Sequence, residues 1–225
     1  MDPKMAFHVK LYASSDLLNQ PWISDLTYMV NASYRVSHTT KIKFASTKTR
    51  LQSDSALSEE LGEHAFTAVA LVGDGKDQKI EVIGTASMKK WKDDGLWTPT
   101  TKDGQEHEDT SNNGCVDQIL HRRACPGDYE LAVVALPPDP QYRGKGIAGH
   151  LVKACEEEIL RRHQANGKDV SSPVRIMIRV TKEDTGAYWL KQGFTVVGSQ
   201  LCPKGFWNSL EEFTMWAMMR ELSTI

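Results

Sequence analysis

Apolar residues recur along the chain with two periods, one typical of strands and one typical of helices. Stretches that are apolar throughout or at alternate positions predict strands at 6–12, 66–72, 80–91, 129–136, 174–180, 194–200 and 213–219. Apolar residues three or four positions apart predict helices at about 14–37, 57–61, 145–166 and 184–192. Ser14 or Ser15 is expected to cap the first helix, which Pro21 interrupts because proline lacks the backbone N–H that a helix interior requires.

The strand predicted at 129–136 has the pattern of a central strand. It is a continuous, mostly apolar run that ends at Pro137 and Pro138, and strands buried on both faces have this pattern. The strands at 66–72 and 80–91 are joined by a turn rich in Gly and Asp, which predicts a hairpin. The order of strands and helices therefore predicts an α/β fold.

The segment 93–128 is polar and has no sustained apolar period, so it is predicted to be a long loop. Loops of this length are usually lids, binding loops or disordered inserts, and the sequence leaves these alternatives open. Histidine and cysteine, which are both common zinc ligands, occur in this segment at His107, Cys115, His121 and Cys125. Because their spacing is irregular, scattered loop residues are the preferred interpretation and no metal is expected.

Length and composition set the class of protein. A chain of 225 residues with 40% hydrophobic and 25% charged residues is typical of one soluble globular domain, here taken as 1–225. The formal net charge of −2 provides no broad basic field, which argues against a nucleic-acid partner. No stretch is long and apolar enough to be a leader or a membrane span. A cytoplasmic location is expected, with the nucleus as an alternative, and the four cysteines are expected to be reduced.

A glycine-containing turn separates the central strand from the helix at 145–166. Gly144 and Gly146 would allow the backbone to approach an anion closely, and Arg143 and Lys145 bring positive charge to the same turn. The turn matches neither the dinucleotide fingerprint nor the P-loop. A diphosphate is the predicted ligand, and a plain turn is the alternative.

The segment 141–148 resembles the (Q/R)xxGx(G/A) signature of the GNAT acetyltransferases. Two further segments agree with this resemblance: 187–194, which ends in Gly-Phe, and 82–86, which is similar to the family's third strand. Together the similar segments cover most of 66–219. The resemblance implies a mixed sheet of about six or seven strands flanked by helices, with a splayed central strand pair that forms the coenzyme A slot.

The resemblance also implies acetyl-CoA as the cosubstrate and assigns residues to it. The pantetheine arm would pair with the backbone of Val134, Ala135 and Leu136. The pyrophosphate would be wrapped by Gln141, Tyr142, Arg143, Gly144, Lys145, Gly146, Ile147 and Ala148. Because Pro137 and Pro138 lack N–H groups, any backbone donor must precede them.

Acetyl transfer to an amine requires a base, because alkylamines are protonated near neutral pH. Glu130 is the predicted base, since it begins the apolar strand and lies eleven positions before Gln141. This placement resembles that of the strand glutamate in the lysine-acetylating branch of the family. A surface role at the strand end remains open, and the alternative bases are Asp128, Glu81, His107 and His121.

The family often protonates the leaving thiolate with a tyrosine four residues before the Gly of the Gly-Phe pair. This chain has Trp189 at that position, while Tyr188 lies about 100° around the helix and is the candidate acid. Packing is the alternative role for Tyr188. The family's asparagine is also missing, with Lys182 near its place. Cys155 falls on the apolar helix face and is predicted to be a buried structural thiol.

The function predicted from the sequence is direct transfer of an acetyl group from CoA to a primary amine of a small molecule, in a ternary complex. Acetylation of protein lysines or N-termini is one alternative. The position of Glu130 favours it, because that position resembles the one of the strand glutamate in the lysine-acetylating branch of the family. A CoA-binding regulatory module without turnover is another, because the family's tyrosine and asparagine are missing.

Overall fold

The structure is a computed structural model that describes residues 6–37, 49–73, 79–92, 97–100, 128–165 and 173–222. Its strands are β1 His8–Ala13, β2 Phe66–Val72, β3 Glu81–Lys90, β4 Thr98–Pro99, β5 Tyr129–Ala135, β6 Val174–Thr181, β7 Thr195–Cys202 and β8 Phe213–Leu222. Its helices are α1 Ser14–Leu17, α2 Ile23–Ser37, α3 Ala56–Leu61, α4 Ile147–Ala165 and α5 Ala187–Lys191. Shorter turns of helix are the 3-10 turns Pro140–Tyr142 and Phe206–Asn208 and the π-helical turn Lys182–Gly186.

The described residues fall into two compact units. The first contains 6–37, 49–73, 79–89 and 131–165, and the second contains 90–92, 97–100, 128–130 and 173–222. Each has its own buried core. The single domain expected over 1–225 stays a prediction.

The first unit is built on strands in the order β1-β2-β3-β5. The pairs β1–β2 and β2–β3 are antiparallel, so the predicted hairpin of β2 and β3 is confirmed. Helices α1, α2 and α3 supply much of the apolar core against these strands. Its buried members are Leu17, Trp22, Leu26, Met29, Val30, Leu51, Leu57, Leu61, Ala65, Val69, Leu71, Val82, Val133 and Ala135.

The second unit has the strand order β5-β6-β8-β7-β4. The beginning of β5 pairs with β6 in parallel at Tyr129 and Glu130, whereas β6–β8, β7–β8 and β4–β7 are antiparallel. The predicted mixed sheet flanked by helices is therefore confirmed. Within the described residues, seven strands have six residues or more, and the two-residue β4 is an eighth. The core of this unit consists of Trp97, Met177, Val197, Cys202, Phe213, Met215, Ala217 and Met219.

Three local predictions need correction. Ala13, and not Ser14 or Ser15, occupies the N-cap position of α1, where no side chain forms a cap hydrogen bond. The segment predicted as one long loop contains β4, which pairs with β7. This close pairing requires a glycine at position 198, because a Cβ there would lie 2.9 Å from the Cβ of Trp97. The helix predicted at 184–192 is a π-helical turn followed by the short α5.

No helix in the described part of the chain is long and apolar enough to cross a membrane.

Candidate functional site

The start of α4 lies directly against β3 because Gly84 has no side chain. A Cβ at this position would come within 2.6 Å of Cδ2 of Leu136, 2.9 Å of Cδ1 of Leu151 and 3.2 Å of Cγ2 of Ile147. Ile147 and Leu151 are fully buried there. The absence of a side chain at Gly84 therefore allows the first turn of α4 and Leu136, just after the central strand, to pack closely against β3.

The turn before α4 is shaped by a side-chain cap and two glycines. Asp139 accepts hydrogen bonds from the backbone N–H of Gln141 at 2.9 Å and from its Nε2 at 3.2 Å. Gly144 and Gly146 have φ angles of 68° and 77°. Because left-handed backbone costs a residue with a Cβ roughly 1–2 kcal/mol, glycine is the favoured residue at both positions.

Helix α4 follows this turn and has an apolar face of the predicted kind. Its buried residues are Ile147, Leu151, Cys155 and Ile159. The first N–H groups of any α-helix have no partner within the helix, and the helix dipole makes this end positive. The turn and the first residues of α4 thus form a short arc that can bind an anion.

Tyr142 fixes the turn from inside. Its side chain is buried, and its hydroxyl donates a hydrogen bond to Oε1 of Glu81 at 2.5 Å. Burial first, and then the hydrogen bond to Glu81 and the nearby carboxylates, raise the pKa of Tyr142 from 10.0 to about 12. The phenol is therefore a neutral donor over the physiological range. Glu81, one of the alternative bases, is the acceptor of this bond.

The remaining residues assigned to the cosubstrate differ in exposure. Gln141, Arg143, Gly144, Lys145 and Gly146 are exposed, so their side chains or backbone can reach a ligand. Ala148, Val134 and Leu136 are half-buried, and Ala135 is buried. All of them lie in the first unit. The side chain of Tyr142 is buried, so only its backbone can reach a ligand at the turn.

Glu130, the predicted base, lies in the second unit and is paired. Its carboxylate is buried and accepts hydrogen bonds from Nη1 of Arg179 at 3.0 Å on each oxygen. The Arg179 guanidinium also lies 4.1 Å from the ring centroid of Trp91 and donates to the carbonyl of Lys92 at 2.5 Å. The pair is charge-assisted and stacked on an aromatic ring, which holds the carboxylate in one orientation.

Asp128, another alternative base, is paired in the same way. Its Oδ1 accepts a hydrogen bond from Nε of Arg175 at 3.1 Å, and both side chains are buried. Neither arginine was predicted from the sequence as a partner of these carboxylates. Arg175 and Arg179 lie on one face of the mostly apolar β6, and buried charges of this kind require partners. That pattern would have predicted acidic residues on the neighbouring strand.

Tyr188 and Trp189 point in different directions, as the helix spacing predicts. Trp189 is buried and contacts Phe194 edge to face, with ring centroids 5.3 Å apart. Tyr188 is 45% exposed and rests edge-on against Trp189 at 5.1 Å. The position at which the family has its tyrosine is therefore part of the core.

Cys155 is a structural thiol, as predicted. It is fully buried, its Sγ lies 3.6 Å from the carbonyl oxygen of Ala86, and burial raises its pKa to about 12. A thiol of this kind remains protonated and is a poor nucleophile.

His107, Cys115, His121 and Cys125 lie outside the described residues. Within the part of the chain that the structure does describe, no group of three or more His, Cys, Asp or Glu is arranged to hold a metal ion.

Comparisons with known proteins give one consistent result. No family model and no curated protein sequence matches the chain. Among solved structures, it is similar to an acetyltransferase of the GNAT family from Streptococcus pneumoniae, with a TM-score of 0.51 and 14% identity over 97% of this chain and 100% of that one. The ribosomal-protein-S18-alanine N-acetyltransferase from Escherichia coli gives a TM-score of 0.52 and 12% identity over 98% and 96% of the two chains.

A third similar structure is an aminoglycoside 6'-N-acetyltransferase complexed with coenzyme A. Its TM-score is 0.52 and its identity is 11%, over 97% of this chain and 98% of that one. The match extends over nearly the whole length of each protein compared. At these identities the likeness concerns the fold, and the chain has the fold of the GNAT acetyltransferases.

Proposed function

We propose that this chain is an acetyl-CoA-dependent N-acetyltransferase. The observation that carries the proposal is the turn with Gly144 and Gly146 in left-handed conformations, followed at once by the positive end of α4. This arrangement supports a diphosphate ligand, and it occurs on a fold shared with acetyltransferases. The aminoglycoside 6'-N-acetyltransferase, which has the same fold, is complexed with coenzyme A.

The residues at the turn fit a diphosphate. A Cβ built on Gly144 meets nothing within 4 Å, so its exposed face is open to a ligand. Arg143 and Lys145 are exposed on either side of this glycine and supply positive charge. The pantetheine arm would pair with the backbone at Val134, Ala135 and Leu136, where the last N–H donors before Pro137 lie.

In the proposed reaction the amine nitrogen of the acceptor attacks the carbonyl carbon of the acetyl thioester. A carbon–nitrogen bond forms, the carbon–sulfur bond breaks, and coenzyme A leaves as a thiolate. Backbone N–H groups at the end of β5 would stabilise the oxyanion. This scheme requires no covalent enzyme intermediate, which is consistent with the inert, buried Cys155.

We assign Glu130 as the base that accepts the proton of the attacking amine. Its carboxylate is held by the guanidinium of Arg179 at 3.0 Å, so Arg179 would have to yield one carboxylate oxygen to the amine. Tyr188 is the candidate acid for the thiolate, and water or the thiolate itself can also close the cycle.

The acceptor that we propose is a primary amine on a small molecule. Its support is the long polar segment 93–128, which has the length and composition of a loop that covers a pocket. Similar folds serve acceptors of different classes, since one structural neighbour is named for an aminoglycoside and another for a ribosomal protein.

The test is an assay of coenzyme A release from acetyl-CoA in the presence of two panels, one of small primary amines and one of peptides with free N-termini or lysines. We expect release with at least one small amine and an acetylated product identified by mass spectrometry. Acetylation confined to the peptide panel would overturn the choice of acceptor. Tight acetyl-CoA binding without release for any acceptor would favour a regulatory module.

A further inference from the structure

Trp91 lies just after β3 and is connected to the strand that carries Glu130. Its backbone N–H donates to the carbonyl of Asp128 at 2.8 Å, two residues before Glu130. Its ring lies 6.4 Å from the ring of the buried Trp97, measured between centroids, and the two planes are inclined at 37°. The backbone hydrogen bond and the ring contact therefore fix the Trp91 ring beside the start of β5.

The guanidinium of Arg179 is held by groups other than its carboxylate partner. Its Cζ lies 4.1 Å from the ring centroid of Trp91 and 5.8 Å from that of Trp97. Its Nη2 donates to the carbonyl of Lys92, the residue that follows Trp91. A guanidinium over an indole ring is attracted by the ring quadrupole, most strongly where water is excluded. Trp91 and Lys92 thus fix the position of Arg179.

Arg179 contacts Glu130 across the parallel pair of β5 and β6. Glu130 is opposite Met177 in the register, and Arg179 lies two residues further along β6, on the same face as Met177. From this diagonal position its Nη1 lies 3.0 Å from each carboxylate oxygen. Because the nitrogen is equally distant from both oxygens, it can release one and keep its hydrogen bond to the other while the guanidinium stays in place.

We propose that Trp91 is a positioning residue for acetyl transfer, which acts through Arg179 on the Glu130 carboxylate. The inference rests on the proposed function and on Glu130 as its base. The proton leaves the attacking nitrogen and forms an O–H bond with one carboxylate oxygen, while the other oxygen keeps its hydrogen bond from Arg179. Glu130 then loses this proton to solvent. Trp91 contacts none of the reacting atoms, and it contributes by preventing rotations that would move the accepting oxygen away from the amine.

A double-mutant cycle on turnover tests the proposal. The substrates are acetyl-CoA and the small primary amine that gives the fastest coenzyme A release in the panel described above. Trp91→Leu removes the ring but keeps an apolar side chain, and we expect it to lower kcat by about tenfold through misplacement of the carboxylate. The KM for acetyl-CoA should stay near the wild-type value. In the Glu130→Gln background the same change should have little further effect, because the carboxylate through which Trp91 acts has been removed.

Two further variants provide the same test if Trp91→Leu does not fold. Trp91→Phe retains an aromatic face for the guanidinium and should keep most of the turnover. Arg179→Lys keeps the positive charge but loses the planar group that stacks on the ring and donates in several directions. We expect Arg179→Lys to lower kcat by about tenfold or more in the wild-type background and to have little effect in the Glu130→Gln background.

The matched control is Arg175→Lys, which alters the neighbouring buried ion pair, where Nε of Arg175 donates to Asp128 at 3.1 Å. It should lower the thermal stability and leave kcat near the wild-type value. An equal loss of kcat from Trp91→Leu in both backgrounds would assign Trp91 a structural role and overturn the inference alone. Unchanged turnover of Trp91→Leu or of Glu130→Gln would do the same. No coenzyme A release by the wild type with any amine would contradict the proposed function, and the inference with it.

Discussion

Arg179 donates from Nη1 to both carboxylate oxygens of Glu130, at 3.0 Å each. The guanidinium is itself fixed by the ring of Trp91 and the carbonyl of Lys92. Removing the negative charge of Glu130 therefore affects two properties, the proposed proton transfer and the stability of a largely buried ion pair. An experiment on Glu130 has to separate them.

We expect Glu130→Gln to lower turnover at pH 7 by roughly 10² to 10⁴, with partial recovery as rising pH deprotonates the amine without help. Acetyl-CoA affinity should change little. The matched control is Asp128→Asn, which also removes a buried carboxylate that is paired with an arginine, Arg175. It should lower the free energy of unfolding by a similar amount and leaves the proposed base in place. Steady-state kinetics and thermal unfolding of both variants provide the comparison. An equal loss of turnover in the two folded variants would assign Glu130 a structural role.

The ion pairs also mark the limit of what the sequence can predict. Apolar periodicity reflects burial, so it predicted the bounds of β2 and the central position of β5 closely. The pairing of Glu130 with Arg179 depends on the parallel register of β5 against β6, and two strands far apart in sequence do not encode their register locally. The two-residue β4 was missed for a different reason, because a strand of this length is too short to have a period.

The geometry of the turn before α4 could be predicted because the residues that shape it are adjacent in sequence. Gly144 and Gly146 lie within the turn that they shape, and the helix that follows begins at the next residue. The role of Tyr142 was not foreseen, because its partner Glu81 lies on β3, 61 residues earlier in the sequence. Local motifs thus predicted the turn, whereas the contacts that anchor it required the structure.

Gly144→Asp should weaken acetyl-CoA binding by at least about tenfold, because it places a carboxylate next to the proposed phosphate site. Gly144→Asn is the matched control, since Asn has nearly the same shape, tolerates the positive φ comparably and carries no charge. Calorimetry should show a much smaller loss for Asn than for Asp. Similar affinities of the wild type and Gly144→Asp, with both proteins folded, would show that the phosphate lies elsewhere.

Tyr142→Phe should remove one pH-dependent contribution to stability. The pKa of Tyr142 is raised from 10.0 to about 12 in the folded protein, so its contribution is complete below pH 10 and is lost as pH rises towards 12. We expect the variant to be less stable by about 1 kcal/mol near neutral pH, the usual net value of a hydrogen bond. Its free energy of unfolding should also fall less steeply than that of the wild type between pH 10 and pH 12. Denaturant unfolding at several pH values measures both effects, and parallel slopes for the two proteins would contradict this account.

Tyr188→Phe should leave turnover nearly unchanged, because the buried position that the family fills with tyrosine is here taken by Trp189 and the Tyr188 ring is 45% exposed. The hydroxyl is the only group removed, so stability should also change little. Trp189→Phe provides the contrast, because it shortens a ring packed against Phe194 and should destabilise the protein by creating a cavity. Steady-state kinetics with saturating acetyl-CoA, together with thermal unfolding, distinguish the two residues. General acid catalysis contributes about a hundredfold or more to turnover. A loss of that size in a folded Tyr188→Phe protein that still binds acetyl-CoA would make Tyr188 the acid despite its exposure.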